Sequence, residues 1–244
     1  MSSKHTYHDP GCWGQDKSNI SKMTVVIGVL ALQGAFIEHV RHVEKCIVEN
    51  RDFYERKLSV MTVKDKNQLA QCDALIIPGG ESTAMSLIAE RTGFYDDLYA
   101  FVHNPSKVTW GTSAGLIYIS QKLSNEAKLV KTLNLLKVKV KRNAFGRQAQ
   151  SSTRICDFSN FIPHCNDFPA TFIRAPVIEE VLDPEHVQVL YKLDGKDNGG
   201  QELIVAAKQK NNILATSFHP EWAENDIRFH DWFIREFVLK NYSK

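Results

Sequence analysis

Thr24-Val-Val-Ile-Gly-Val-Leu-Ala-Leu-Gln-Gly34 is a near-unbroken run of β-branched and aliphatic residues that stops at Gln33-Gly34. No polar residue alternates with the apolar ones, so the run predicts a strand covered on both faces, as in a parallel sheet. Ala35 to Asn50 then spaces Phe36, Val40, Val43 and Ile47 as one helical face that can pack on such a sheet. The alternation repeats. Leu58 to Val63 predicts a second strand, Lys64 to Gln71 a short helix, and Ala74 to Ile77 a third buried strand. Pro78-Gly79-Gly80 breaks that strand, and Ser82 to Glu90 resumes a helix. Val108-Thr-Trp-Gly111 predicts a fourth strand, which turns sharply through Gly111 to Gly115 into another helix. Strand alternating with helix predicts an α/β fold with a doubly wound, mostly parallel sheet flanked by helices.

The pattern changes near Leu133. Leu135 to Arg142 alternates apolar residues with Lys or Arg, which predicts a half-exposed strand. Ala170 to Pro176, Val187 to Tyr191 and Leu203 to Lys208 predict short strands, the last two joined by a turn at Asn198-Gly199-Gly200. Asn212 to Phe218 predicts a final apolar strand, and Asp226 to Leu239 an amphipathic closing helix. No composition break reads as a linker, so residues 23–244 are expected to form a single domain. Residues 1–22 are polar, without the apolar stretch of a signal peptide, and read as a disordered leader or appended segment.

Bulk properties exclude several classes of function. A formal net charge of +2, with basic and acidic residues interspersed, offers no electrostatic footprint for nucleic acid. No run approaches the ~20 apolar residues of a membrane span. Cys12, Cys46, Cys72, Cys156 and Cys165 have neither metal-site spacing nor a disulfide framework, so a reducing, cytoplasmic setting is expected, with no metal and no cofactor.

Four segments fall at the C-terminal ends of predicted strands, where open α/β sheets bind their ligands. They are Gln33-Gly34, Pro78-Gly-Gly-Glu-Ser82, Gly111-Thr-Ser-Ala-Gly115 and His219-Pro-Glu221. Gly-Thr-Ser-Ala-Gly has the form of a nucleophile elbow, in which small residues permit a tight strand-to-helix turn that exposes Ser113. The Ala114 N–H, at the start of the following helix, is placed to meet a developing oxyanion. In His219-Pro-Glu221 the two outer residues can share one side of an extended segment, so Glu221 can orient the His219 ring. Serine at the centre suggests an α/β-hydrolase. Those enzymes, however, run Ser, acid, His along the chain, with the acid well separated from the His.

The elbow followed by His-Pro-Glu resembles the triad of class I glutamine amidotransferases. Leu30-Ala-Leu-Gln-Gly34, Pro78-Gly-Gly-Glu-Ser-Thr83, Arg142-Asn-Ala-Phe-Gly-Arg147 and Phe172-Ile-Arg-Ala-Pro176 narrow the resemblance. Together they are similar to the glutaminase subunit of pyridoxal 5′-phosphate synthase, in its yeast-type form, from Met23 to the end of the chain. The resemblance implies a flavodoxin-like fold and hydrolysis of glutamine to glutamate and ammonia, with ammonia passed to a separate synthase subunit. It implies His219 as general base and Glu221 as its orienting acid. Gly80, Glu81, Ser82, Arg142, Ile173 and Arg174 are implied to hold glutamine, and Gly80 and Ala114 to form the oxyanion hole. Gln33 is implied to sit near the partner interface and to help set that hole.

This chain departs from the family at the nucleophile, which is cysteine there and Ser113 here. A thiol of pKa ~8.5 is readily converted to thiolate beside an imidazole, whereas a hydroxyl must lose its proton during attack to a well-aligned base. Glutamine is therefore expected to bind, with hydrolysis lost or severely reduced. Two other readings remain: a serine hydrolase using Ser113, His219 and Glu221, and a non-catalytic subunit that docks on the synthase. Trp222, where relatives carry a smaller aliphatic residue, either crowds Glu221 or lies on the surface.

Overall fold

The computed structural model describes residues 24–124, 129–144, 151–195 and 200–242. The leader at residues 1–22, Asn198-Gly199 of the expected turn, and Phe145-Gly-Arg147 of the arginine motif lie outside them. In chain order the strands begin with β1 (Val25–Leu30), β2 (Leu58–Val63), β3 (Ala74–Ile77), β4 (Val108–Thr112), β5 (Ser120–Leu123) and β6 (Leu136–Lys141). They continue with β7 (Ser151–Cys156), β8 (Phe168–Ile173), β9 (Val177–Val181), β10 (Val187–Leu193), β11 (Leu203–Gln209) and β12 (Ile213–Thr216). The helices are α1 (Phe36–Glu49), α2 (Lys66–Leu69), α3 (Ser82–Arg91), α4 (Tyr95–His103), α5 (Ala114–Ile119) and α6 (Arg228–Phe233). The closing helix passes from α6 through a π-helical stretch, Ile234–Leu239, to a last turn at Lys240–Tyr242.

β2, β1, β3, β4 and β12 pair in parallel in that order, and the unbroken apolar runs are the reason they can lie covered on both faces. β1 buries Val25, Ile27 and Val29 in the same core as Val43 and Cys46 of α1 and Phe229 and Phe233 of α6. Successive strand side chains alternate faces, so Ala74 and Ile76 join that core while Leu75 and Ile77 enter the other. The second core is closed by Met85 of α3, Leu98 of α4 and Leu116 of α5. Helices therefore cover both faces, as the alternation predicts. A side-chain cap starts α2, where the Asp65 carboxylate accepts from the N–H groups of Asn67 and Gln68 at 2.8 and 3.0 Å.

Beyond β12 the sheet turns antiparallel through β11, β9 and β6, with β10 against the other side of β11. β7 and β8 form a separate antiparallel ribbon. β5, β7, β9 and α4 are additions to the expected elements. β7 alternates exposed with partly buried residues over Ser-Ser-Thr-Arg-Ile-Cys, so it carries almost no apolar pattern. α4 follows α3 after only Thr92-Gly93-Phe94, which the apolar spacing alone does not divide into two helices. Among the described residues no helix is long and apolar enough to cross a membrane.

Candidate active site

β4 delivers Ser113 into a turn that only small neighbours permit. Ser113 adopts φ 48° and ψ −105°, a strained conformation costing ~1–3 kcal/mol that surrounding structure must hold. It is held from both sides. The Ser113 N–H donates to the Thr216 carbonyl at 2.8 Å, tying the elbow to β12, and Ile117 N–H closes the first turn of α5 onto the Ser113 carbonyl. A Cβ on Gly115 would run into the Ile77 carbonyl oxygen, and one on Gly111 would come within 2.7 Å of the Gly115 backbone. The two glycines of the elbow are thus what lets α5 pack directly on β3 and β4. Ser113 is buried, 5% exposed as a residue, and lines a cleft.

β12 ends beside β4, and the chain leaving it carries His219 to Glu221. His219 forms an isolated antiparallel bridge to Thr171 of β8, with its N–H donating to the Thr171 carbonyl at 2.8 Å. Its ring lies against Gly79, where any Cβ would collide with it. Pro220-Glu221-Trp222 then makes one 3₁₀ turn. That turn, rather than the continued strand expected from the sequence, folds the acid back onto its histidine. Nδ1 of His219 and Oε1 of Glu221 are 2.7 Å apart, and both residues are buried. Burial alone would raise the Glu221 carboxyl, but the His39 and His219 imidazoles facing it outweigh burial and hold it below its usual range. Among the described residues no hydrogen bond joins Ser113 Oγ to the His219 ring; such contacts commonly tighten only when substrate is bound.

The cleft in front of Ser113 has a volume of about 180 Å³ and is lined by Gly80, Glu81, Ser82, Ala114, Ile117, Arg142, Asn143, Ile173 and Arg174. It is smaller than the ~300–1,000 Å³ that drug-sized ligands occupy, and suits a ligand of amino-acid size. Every expected glutamine-pocket residue is among these. β8 links the two halves of the site, because the strand that anchors His219 at Thr171 brings Ile173 and Arg174 to the cleft. The Glu81 carboxylate caps α3, accepting from the N–H groups of Thr83 at 3.0 Å and Ala84 at 2.7 Å. Partial burial would raise this carboxyl; the two backbone N–H groups and nearby Arg142 lower it overall. Arg142 Nη2 stands 3.6 Å from Glu81 Oε1, so its guanidinium is held at the cleft by a charge that an entering carboxylate can supplement. The Gln33 amide clasps the backbone of Glu81, with Nε2 donating to its carbonyl at 3.1 Å and Oε1 accepting from its N–H at 3.2 Å. Gln33 thereby fixes the peptide that follows Gly80.

Two buried histidines, one from α1 and one from α6, belong to this neighbourhood and were not among the expected site residues. His39 is fully buried, with Nε2 3.2 Å from Glu221 Oε2 and 3.3 Å from Thr112 Oγ1. Burial pushes its pKa down to about 4, against the opposing pull of Glu221, so the ring is neutral at physiological pH. His230 of α6 is likewise driven down by burial, and its Nε2 is 2.9 Å from His39 Nδ1. The signal was present in the sequence: His39 and His42 fall on the stripe defined by Phe36, Val40 and Val43. Trp222 is 50% exposed and borders a surface hollow with Glu38, Arg41, His42 and Lys45, leaving the His219–Glu221 contact intact. A larger hollow, about 660 Å³, lies between Ile47 and Leu58, but it gathers no nucleophile with a base, so volume alone does not locate the chemistry.

The SNO glutamine amidotransferase family matches this chain over residues 29–239, a span that begins in β1 and ends in the closing helix. A Saccharomyces cerevisiae protein named "Probable pyridoxal 5'-phosphate synthase subunit SNO3" is 98% identical over 222 residues, covering 91% of this chain and 100% of that one. The pyridoxal 5′-phosphate synthase subunit PdxT of Dehalococcoides mccartyi is 40% identical over 217 residues, covering 88% and 98%. A crystal structure of a glutamine amidotransferase superposes with a TM-score of 0.69 at 34% identity, covering 86% of this chain and 97% of that one. Elbow, cleft and the His219–Glu221 pair all fall inside the matched span, and the chain belongs to the SNO glutamine amidotransferase family.

Proposed function

We propose that this chain is the glutaminase subunit of a cytoplasmic pyridoxal 5′-phosphate synthase, with glutamine binding retained and hydrolysis impaired by Ser113. The observation that carries the reading is one cleft in which Ser113, the Gly80-Glu81-Ser82 turn, Arg142 and Arg174 converge, backed by the His219–Glu221 pair. Arg142 or Arg174 takes the α-carboxylate of glutamine, and the side-chain amide reaches the elbow. The Gly80 and Ala114 N–H groups receive the oxyanion. With a cysteine at the elbow, the thiolate attacks the amide carbon and His219 protonates the leaving nitrogen. Ammonia departs, and water activated by His219 releases glutamate from the acyl-enzyme. With Ser113, His219 must also accept the hydroxyl proton during the attack, and a 1 Å misplacement alone costs ~10²-fold. The buried, free Cys46, Cys72, Cys156 and Cys165 agree with a reducing compartment.

Calorimetric titration of the chain with L-glutamine, alone and with the synthase subunit, tests the binding half of this reading. Saturable binding and a stable complex are expected; absence of both contradicts it. The strained Ser113 elbow also favours a serine hydrolase as second reading. Stoichiometric fluorophosphonate labelling of Ser113 with ester turnover would support that reading instead.

A further inference from the structure

Glu221 uses only one oxygen on the base. Oε1 meets His219 Nδ1, while Oε2 points into the core, fully buried, 3.2 Å from His39 Nε2. No aligned hydrogen bond reaches Oε2, and its contact with His39 Nε2 is one of charge and proximity. The same His39 nitrogen is 3.3 Å from Thr112 Oγ1, the residue before the nucleophile, and Nδ1 on the opposite edge is 2.9 Å from His230 Nε2.

One proton arrangement satisfies these contacts. A lone pair on His39 Nε2 would repel the carboxylate, so Nε2 carries the hydrogen. Nδ1 is then an acceptor and receives the hydrogen of His230 Nε2. His230 Nδ1 is left as a bare buried acceptor without a partner. A core built only for packing would avoid this arrangement, since two apolar side chains would leave no buried polar atom unpaired.

We propose that His39 is a positioning residue of the glutaminase site, holding Glu221 Oε2 so that Oε1 stays on His219, with His230 fixing the His39 tautomer. This rests on the glutaminase reading above. A carboxylate hydrogen-bonded at Oε1 and faced at Oε2 by the His39 N–H dipole resists rotating away from the imidazole, and a His219 ring that donates through Nδ1 keeps Nε2 free to exchange protons at the elbow. His39 contacts neither substrate nor nucleophile, and it acts through Glu221.

The test compares His39→Leu with His39→Gln in the full-length chain, the Gln amide N–H standing in for Nε2–H. In a Ser113→Cys background with synthase present, His39→Leu should lower kcat by ~10- to 100-fold and leave KM for glutamine within about two-fold. His39→Gln should recover most of that loss. The Ser113 chain itself gives a readout without turnover, the downfield imidazole proton resonance of His219 Nδ1–H. It should persist in the parent and in His39→Gln, and shift or broaden away in His39→Leu. An unchanged kcat and resonance in His39→Leu would overturn the proposal. So would a kcat loss that tracks lowered thermal stability equally in both variants. If Ser113→Cys alone releases no ammonia, the glutaminase reading fails, and the resonance still decides whether His39 positions Glu221.

Discussion

Replacing His39 by Gln should make the fold less sensitive to acid. The folded-state pKa of His39 is about 4, against 6.5 for the unperturbed side chain. A histidine whose pKa is depressed by folding is protonated first in the unfolded chain. Its neutral form thus contributes stability in full above about pH 6.5, and that contribution is lost as pH falls to about 4. A gap of about 2.5 units, at 1.36 kcal/mol each, corresponds to about 3 kcal/mol. The side chain is fully buried, so solvent screening does not discount it. In a chain of this size that loss equals roughly 6–12 °C in Tm. His230 acts in the same direction and is present in parent and variant alike. Glu221, with a depressed carboxyl pKa, loses its contribution only at lower pH, as pH falls through its folded value. Urea unfolding at about pH 7.5 and about pH 4 should show the parent losing about 3 kcal/mol more than His39→Gln. Parallel losses, within about 0.5 kcal/mol, would refute the reasoning.

Other perturbations bear on the site. Gly79→Ala places a methyl where the His219 ring lies, so in the Ser113→Cys background ammonia release should fall by ~10²-fold or more while the protein stays folded. If Arg142 takes the α-carboxylate as proposed, Arg142→Ala should weaken L-glutamine binding ~10- to 100-fold by titration. Trp110 is fully buried among His39, His230, Phe229 and Phe233, so Trp110→Ala should destabilise by ~3–5 kcal/mol in urea melts.

The parallel half of the sheet was legible because most of its strands are short, largely apolar runs, with β1 and β3 ended by Gly-containing turns and β4 by the elbow. β2 and β3 match the expected residues, and β1 and β4 differ only at their ends. The antiparallel half was less so. β7 places only Ser152, Arg154 and Cys156 on its more buried face and β5 starts directly at the end of α5, so neither leaves an apolar period to read. The cleft residues were found through ordered motifs whose backbone demands are local, such as the glycines that allow the elbow. His39 was missed for the opposite reason. Its significance depends on contacts with Glu221, Thr112 and His230, the last 191 residues away, and helical spacing alone assigns it to the core.

Ammonia release from L-glutamine by the synthase complex, comparing this chain with Ser113→Cys, tests the central claim most directly. The account predicts near-background release with Ser113 and at least ~10²-fold more with the thiol. Equal, strong activity with Ser113 would contradict the impairment. A folded, synthase-bound Ser113→Cys chain that remains silent would contradict the assignment of the site.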